Sequence, residues 1–273
     1  APVEGQGGNT SGTGGSNFGV FVWNSGSQIT SSAGAVLVKG TGGGAGSSSD
    51  NYGVLVLSGG VITSAGTGTG ATVTVEGQGG NTSGTGSDNY GVYVVSFGAK
   101  VTSSGGAVSV TGIGTSNSEA VRLQASGAIT SGGNAAITIT ADSVNILADS
   151  EGINSGTGTT TIRTRTAGTQ INLGGADGLA SAPLVLGLTS DELNQITAGK
   201  LVIGRNDIAT GTVTVSSAVA PTNATALEVI TARNIVVNAN LTGGSGGLKL
   251  IANQQAVPTP ATFVGVTVNG VTV

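Results

Sequence analysis

Cysteine, histidine and methionine are all absent from this chain of 273 residues, aromatic residues make up 3% of it and charged residues 8%. Without Cys there is no disulfide framework, no thiol nucleophile and no thiolate metal site. Without His there is no imidazole base and no ordinary zinc site, so most hydrolase and metalloenzyme mechanisms fall away. The 9 Lys and Arg are scattered against 13 Asp and Glu, for a net charge of −4. No basic patch results, and nucleic acid is not an expected partner. No apolar run approaches the length of about 18 residues that spans a bilayer as a helix. No catalytic residue, cofactor or metal site is expected.

What remains is unusual. There are 51 Gly, yet 37% of the residues are hydrophobic, and Val, Ile and Leu alternate with small polar residues through nearly the whole length. That alternation separates the chain from a glycine-rich disordered tract. The pattern also repeats. Units at about 17–40, 51–77, 89–112 and 118–141 carry the same order of short apolar runs and Gly/Ser breaks. Each unit is too small and too rich in glycine to enclose its own core, so it needs its neighbours.

Aligned, the units give three strand positions. The first holds Val20 and Val22, Val54 and Val56, Val92 and Val94, Val121 and Leu123. The second holds Ile29, Ile62, Val101 and Ile129, each followed by a threonine at Thr30, Thr63, Thr102 and Thr130. The third holds Val36 and Val38, Val73 and Val75, Val108 and Val110, Ile137 and Ile139. Period-two alternation marks strands with one buried face. Glycine-containing breaks at Asn24–Ser27, Ser58–Gly60, Ser96–Gly98 and Ala125–Gly127 supply sharp corners. Three short strands joined by such corners coil more economically than they form hairpins. The expected fold is all-β: a single-stranded right-handed parallel β-helix with three short strands per turn, in one elongated domain. Equivalent residues stack about 4.8 Å apart.

The surplus length of each unit collects at one corner, as stacked repeats tolerate. Val3 to Gly14 recurs almost unchanged as Val75 to Gly86, which points to duplication. Residues 142–273 continue the pattern less regularly, with strand-like runs at Val144–Ile146, Thr159–Thr166, Ile171–Leu173, Leu201–Ile203, Val213–Val215, Leu227–Ile230, Ile235–Val237, Leu248–Ile251 and Val264–Val268. Thr189 lies three residues before Glu192, a capping box that predicts one helical turn.

The units Gly-Ala-Val-x-Val-x-Gly and Ser-Gly-x-Ile-Thr-Ser, with the run Leu188 to Gly204, resemble the passenger repeats of filamentous-haemagglutinin-like bacterial exoproteins. The resemblance implies a parallel β-helix exported to the cell surface, with a role in adhesion or in extracellular fibres. It carries over no catalytic residue. Gly/Ser/Thr richness, low charge and a chain that opens at Ala1 without a signal peptide also read as a processed secreted product, or as a fragment of something longer.

The first strand position is apolar on both parities in three units: Phe21 and Trp23, Leu55 and Leu57, Tyr93 and Val95, against Arg122 and Gln124 in the fourth. A sheet face turned to water carries polar residues, so this face is expected to be covered. The cover is either a partner, in which case these six residues are an interface, or the chain's own loops; a parity shifted by one residue is the third reading. Phe18, Tyr52 and Tyr90 recur at one position and are expected to stack, and Lys39 and Glu76 to pair across adjacent turns. Asp149, Glu151 and Asp142 are the nearest approach to an acid–base set, without a basic residue to support them.

The function expected is a structural, non-catalytic extracellular module: a subunit of a surface filament or a stalk segment of a bacterial adhesin. Its partners are further copies, end to end or side by side, or neighbouring solenoid segments. The alternative is a binding module that recognises a glycan or a host protein through the aromatic and apolar face.

Overall fold

The computed structural model describes residues 2–253 and 265–273. Strands recur in threes: Val20–Trp23, Gln28–Ser31 and Val36–Thr41; Val54–Leu57, Val61–Ser64 and Val73–Gln78; Val92–Val95, Lys100–Ser103 and Val108–Ile113; Val121–Gln124, Ala128–Ser131 and Ile137–Thr140; Val144–Ile146, Gly152–Asn154 and Thr159–Arg163. The pairings between strands are parallel, and through this region each strand's partner is the third one along. The fold is therefore all-β and solenoid-like, a curled stack of parallel strands with, among the described residues, a single short helix, Ser190–Asn194.

Three stacks of strands result. In the valine stack, Pro2–Gln6 pairs with Val36–Thr41, and the ladder runs on to Leu248–Ile251. In the aromatic stack the order begins with Val20–Trp23 and reaches Val144–Ile146; the threonine stack begins with Gln28–Ser31 and reaches Gly152–Asn154. Strand Ile196–Arg205 bends from the threonine stack into the valine stack and joins them as one 14-stranded sheet.

Register follows the side-chain alternation. Val3, Val38, Val75, Val110, Ile139, Ile162, Ile203, Val229 and Leu250 form one unbroken column. A slip of one residue would turn the whole column outward, so burial holds the register. Val20, Val22, Val54, Val56, Val92, Val94, Ile62, Val101 and Ile129 are likewise buried in the same continuous main core. Ile29 departs from expectation. It is half-buried, because it lies on the first strand of its stack and has a neighbour, Ile62, on one side only.

Glycine is required where one stack turns into the next. Gly5, Gly40, Gly77 and Gly112 are in register, and a Cβ on any of them would lie 2.0–2.1 Å from the backbone oxygen of Gly19, Gly53, Gly91 or Ala120. At the other corner the positive φ is shared. Gly26, Gly59 and Gly98 adopt it, but so do Asn24, Ser58 and Ser96, and in the fourth unit Ala125 and Ser126 take their place.

Three strands lie where the sequence pattern marked none: Pro2–Gln6, Gly152–Asn154 and Val185–Leu188. The first was hidden in what reads as a glycine-rich loop, although its twin Val73–Gln78 is a strand. The final strand is Val266–Val268; Val264 lies outside the described residues.

Val185–Leu188 breaks the order. Gln170–Leu173 precedes it in sequence, yet Val185–Leu188 pairs with one edge of Gln170–Leu173 while Val213–Val215 takes the other. Beyond this edge lies Val144–Ile146, with contacts but no strand pairing. A seam therefore crosses the aromatic stack, and side chains close it as described below.

Candidate functional site

Two regions combine chemistry-bearing side chains with organised geometry: the outer surface of the aromatic stack, and the seam. On the first, Phe18, Tyr52 and Tyr90 stack nearly parallel, with centroids 5.3 and 5.6 Å apart. Tyr93 meets Tyr52 and Tyr90 edge-on at 5.4 and 5.1 Å. Such geometry aligns ring edges with faces and adds about 0.5–1.5 kcal/mol per pair beyond burial. Asp50 accepts from the Tyr52 hydroxyl at 2.7 Å, and Asp88 accepts from Tyr90. Burial, then these carboxylates, push both hydroxyls far above the usual tyrosine range, so they stay protonated donors.

Arg122 closes the surface. Its guanidinium lies 5.1 Å from the Tyr90 ring centre and pairs with Glu119 at 3.4 Å, while Tyr93 donates to Gln124 at 2.8 Å. The fourth unit thus ends the apolar strip with a cation–π contact.

The six residues singled out by the sequence separate into two groups. Leu55 and Val95 are buried and, with Tyr52 and Tyr90, form a small second core against which Leu57 and Tyr93 pack half-buried. Phe21 and Trp23 are 43% and 52% exposed, and stack on each other at 5.9 Å. The inward valines keep the expected parity. The cover over the middle of this face comes from the aromatic rings of the preceding segments rather than from the glycine-rich loops. Phe97, at a corner of the third unit, is 82% exposed and was not among the residues selected from the sequence.

At the seam, Asp177 accepts from the Val144 N–H at 3.0 Å with one oxygen and from the Gly187 N–H at 2.7 Å with the other. Glu192 accepts from Ile146 N–H at 3.4 Å and from the Thr189 N–H and hydroxyl at 2.8 and 2.7 Å. The two carboxylates thus stand in for the missing strand pairing between Val144–Ile146 and Val185–Leu188. Burial raises the Asp177 carboxyl to about 8 against the pull of its two N–H donors, and raises Glu192 in the same direction. A cleft of about 410 Å³ opens beside them, lined in part by Glu119, Asn145 and Leu179. The Asp177 oxygens accept from backbone N–H groups and those of Glu192 from backbone N–H groups and the Thr189 hydroxyl, and Asp191 lines the same cleft. The capping box named Glu192, but nothing in the sequence marked Asp177 except its isolation in an apolar loop.

The other carboxylates weighed for catalysis are also engaged. Asp142 accepts from Arg165 N–H, Thr166 N–H and the hydroxyls of Thr166 and Thr169; Asp149 accepts from Ala125 N–H; Glu151 pairs with Lys100 at 3.2 Å. Lys39 and Glu76 pair at 3.2 Å as their register requires. Among the described residues no group of three or more acidic, His or Cys side chains is placed to hold a metal ion, and no helix is long and apolar enough to cross a membrane. Comparison with protein-family models, curated proteins and solved structures gave no match.

Proposed function

We propose that this chain is a structural, non-catalytic module of the bacterial cell exterior, a segment of a surface fibre or of an adhesin stalk, wound as a right-handed parallel β-helix with three strands per turn. The pairing of each strand with the third one along supports the winding, and crossovers between parallel strands are right-handed in about 98% of cases. The resemblance to haemagglutinin-like passenger repeats supports the exterior location.

The observation that carries the reading is where apolar surface remains. Phe21 and Trp23 lie on the first strand of the aromatic stack, Val266 and Val268 on the end strand of the separate sheet that begins with Val185–Leu188 beyond the seam, and all four are exposed; Val3 and Leu250, at the two ends of the central column among the described residues, are half-buried, while the column between them is closed. Open edges of this kind are templates for further strands. Partners are thus further β-solenoid turns joined end to end. Purified protein examined by negative-stain imaging, with mass followed against concentration, is expected to give filaments or end-joined rods. Short monodisperse rods at every concentration would sink the self-associating form of the reading.

A second reading has its own support: the exposed, near-parallel Phe21–Trp23 pair is an aromatic surface of the kind that binds a sugar ring or a protein side chain. Phe21→Ser with Trp23→Ser separates the two. Loss of assembly with the fold retained favours the structural role, and unchanged assembly with loss of glycan capture favours recognition.

A further inference from the structure

The N-terminal edge has an internal duplicate whose partner is visible. Val3–Gly14 repeats as Val75–Gly86, and the correspondence continues through Asn17 and Asn89, Phe18 and Tyr90, Val20 and Val92, and Trp23 and Val95. In the interior copy this surface rests on the turn formed by residues 36–72. Glu76 pairs with Lys39 at 3.2 Å. The Thr85 N–H donates to Gly46 O at 2.8 Å, and the Asn81 amide donates to Gly46 O and Ser48 O at 3.0 and 2.7 Å. The Asn89 side-chain oxygen accepts from both the N–H and the side-chain amide of Asn51, at 3.0 and 2.7 Å.

At the edge each of these groups is present and the loop it would meet is not; the Asn9 amide donates instead to Gly14 O at 3.1 Å. Glu4 makes no ion pair among the described residues, and the Thr13 N–H meets no loop carbonyl. Asn17 donates forward to Asn51 at 2.7 Å, as Asn51 does to Asn89, but its own oxygen receives no donor among the described residues. Exposure follows the same comparison: Trp23 is 52% exposed where Val95 is 9%, and Val3 is half-buried where Val75 is closed.

Resting on the reading that the ends continue into β-structure, we propose that the edge from Val3 to Trp23 is a docking surface for one further solenoid turn of the 36–72 pattern. The occupant has alternating valines followed by a lysine at the Lys39 place, a glycine-rich loop that presents carbonyls to Thr13 and Asn9, and an asparagine that donates to Asn17. Its aliphatic residues at the Leu55 and Leu57 places lie against Phe21 and Trp23. A glycan or a globular partner offers no such register of lysine, carbonyl and amide.

The test is an extended chain with a second copy of residues 36–72 joined ahead of Ala1, which then occupies the place of Val73. The Thr13 amide is expected to exchange about tenfold more slowly than in the unextended chain, approaching Thr85, and Trp23 emission to shift to shorter wavelength. An extension of equal length made of Gly and Ser is expected to change neither. Glu4→Lys is expected to lower the denaturation midpoint of the extended chain and to leave that of the unextended chain unchanged. Unaltered Thr13 exchange and Trp23 emission, or loss of the parent's β-sheet circular dichroism on extension, overturns the proposal. The structural reading is judged separately: if the extension docks but the unextended chain never self-associates, only self-association falls, whereas filaments without any gain on extension remove this docking surface alone.

Discussion

At the scale of single residues, two positions carry sharp consequences. Gly77 leaves no room for a side chain, since a Cβ would come within 2.1 Å of the Gly91 carbonyl oxygen. Gly77→Ala is expected to destabilise the fold by about 1–3 kcal/mol through backbone displacement, read as a lower urea midpoint at unchanged slope. An unchanged midpoint would mean that the corner yields freely. Asp177 is the second. Its carboxyl is raised in the folded chain to about 8, above its value in the unfolded chain, and Glu192 is raised as well. The stability Asp177 contributes is therefore complete below the ordinary carboxyl range and lost as pH rises through about 8, and Glu192 acts in the same direction. Denaturation midpoints are expected to fall between pH 5 and pH 9, and Asp177→Asn to flatten the fall; midpoints that climb across that window contradict the assignment. Asp177 was not legible in the sequence, because a carboxylate that caps a strand in another turn leaves no local pattern. Lys39 with Glu76 was legible, since their register follows from the repeat alone.

At the scale of elements, alternation and glycine breaks located most strands, because each buries one face and ends at a corner. Pro2–Gln6 was missed for want of alternating valines: Gly5 holds an inward place where bulk cannot fit. Val185–Leu188 was missed because its place is set by a break in chain order, with the Asp177 and Glu192 carboxylates instead of a backbone ladder on one side. The helix Ser190–Asn194 was marked by its capping box, and both of its hydrogen bonds are formed. Thr189→Ala is expected to cost about 1 kcal/mol from the cap, and to loosen the seam through Glu192. Hydrogen exchange at Ile146 and Gly187 reports this; a loss of helix protection with both seam amides unaffected would show that the cap and the seam are independent. The aromatic face was half legible. Its composition announced a covered surface, but only the stacked rings show that the cover is partly its own.

At the scale of the molecule, one column of β-branched and leucine side chains runs through both the regular and the irregular parts, so the main core is continuous across them. Removing a side chain from the middle of the column is expected to be felt along the whole solenoid. Ile139→Ala, at a site with no solvent exposure, should cost about 2–5 kcal/mol. The loss should appear as a single cooperative transition, whereas two separate transitions would divide the molecule at the seam. The edges that carry no further strand among the described residues belong to the same scale. They connect the fold to its proposed duty, since a stack that is closed along its sides grows only at its ends.

The most direct test is methyl nuclear Overhauser spectroscopy on a sample labelled at valine and isoleucine. The stacked account predicts that Val75 contacts Val38 on one side and Val110 on the other, and that Ile139 contacts Val110 and Ile162. Contacts of Val75 with residues of an antiparallel neighbour, without cross-peaks to Val38 and Val110, would contradict it.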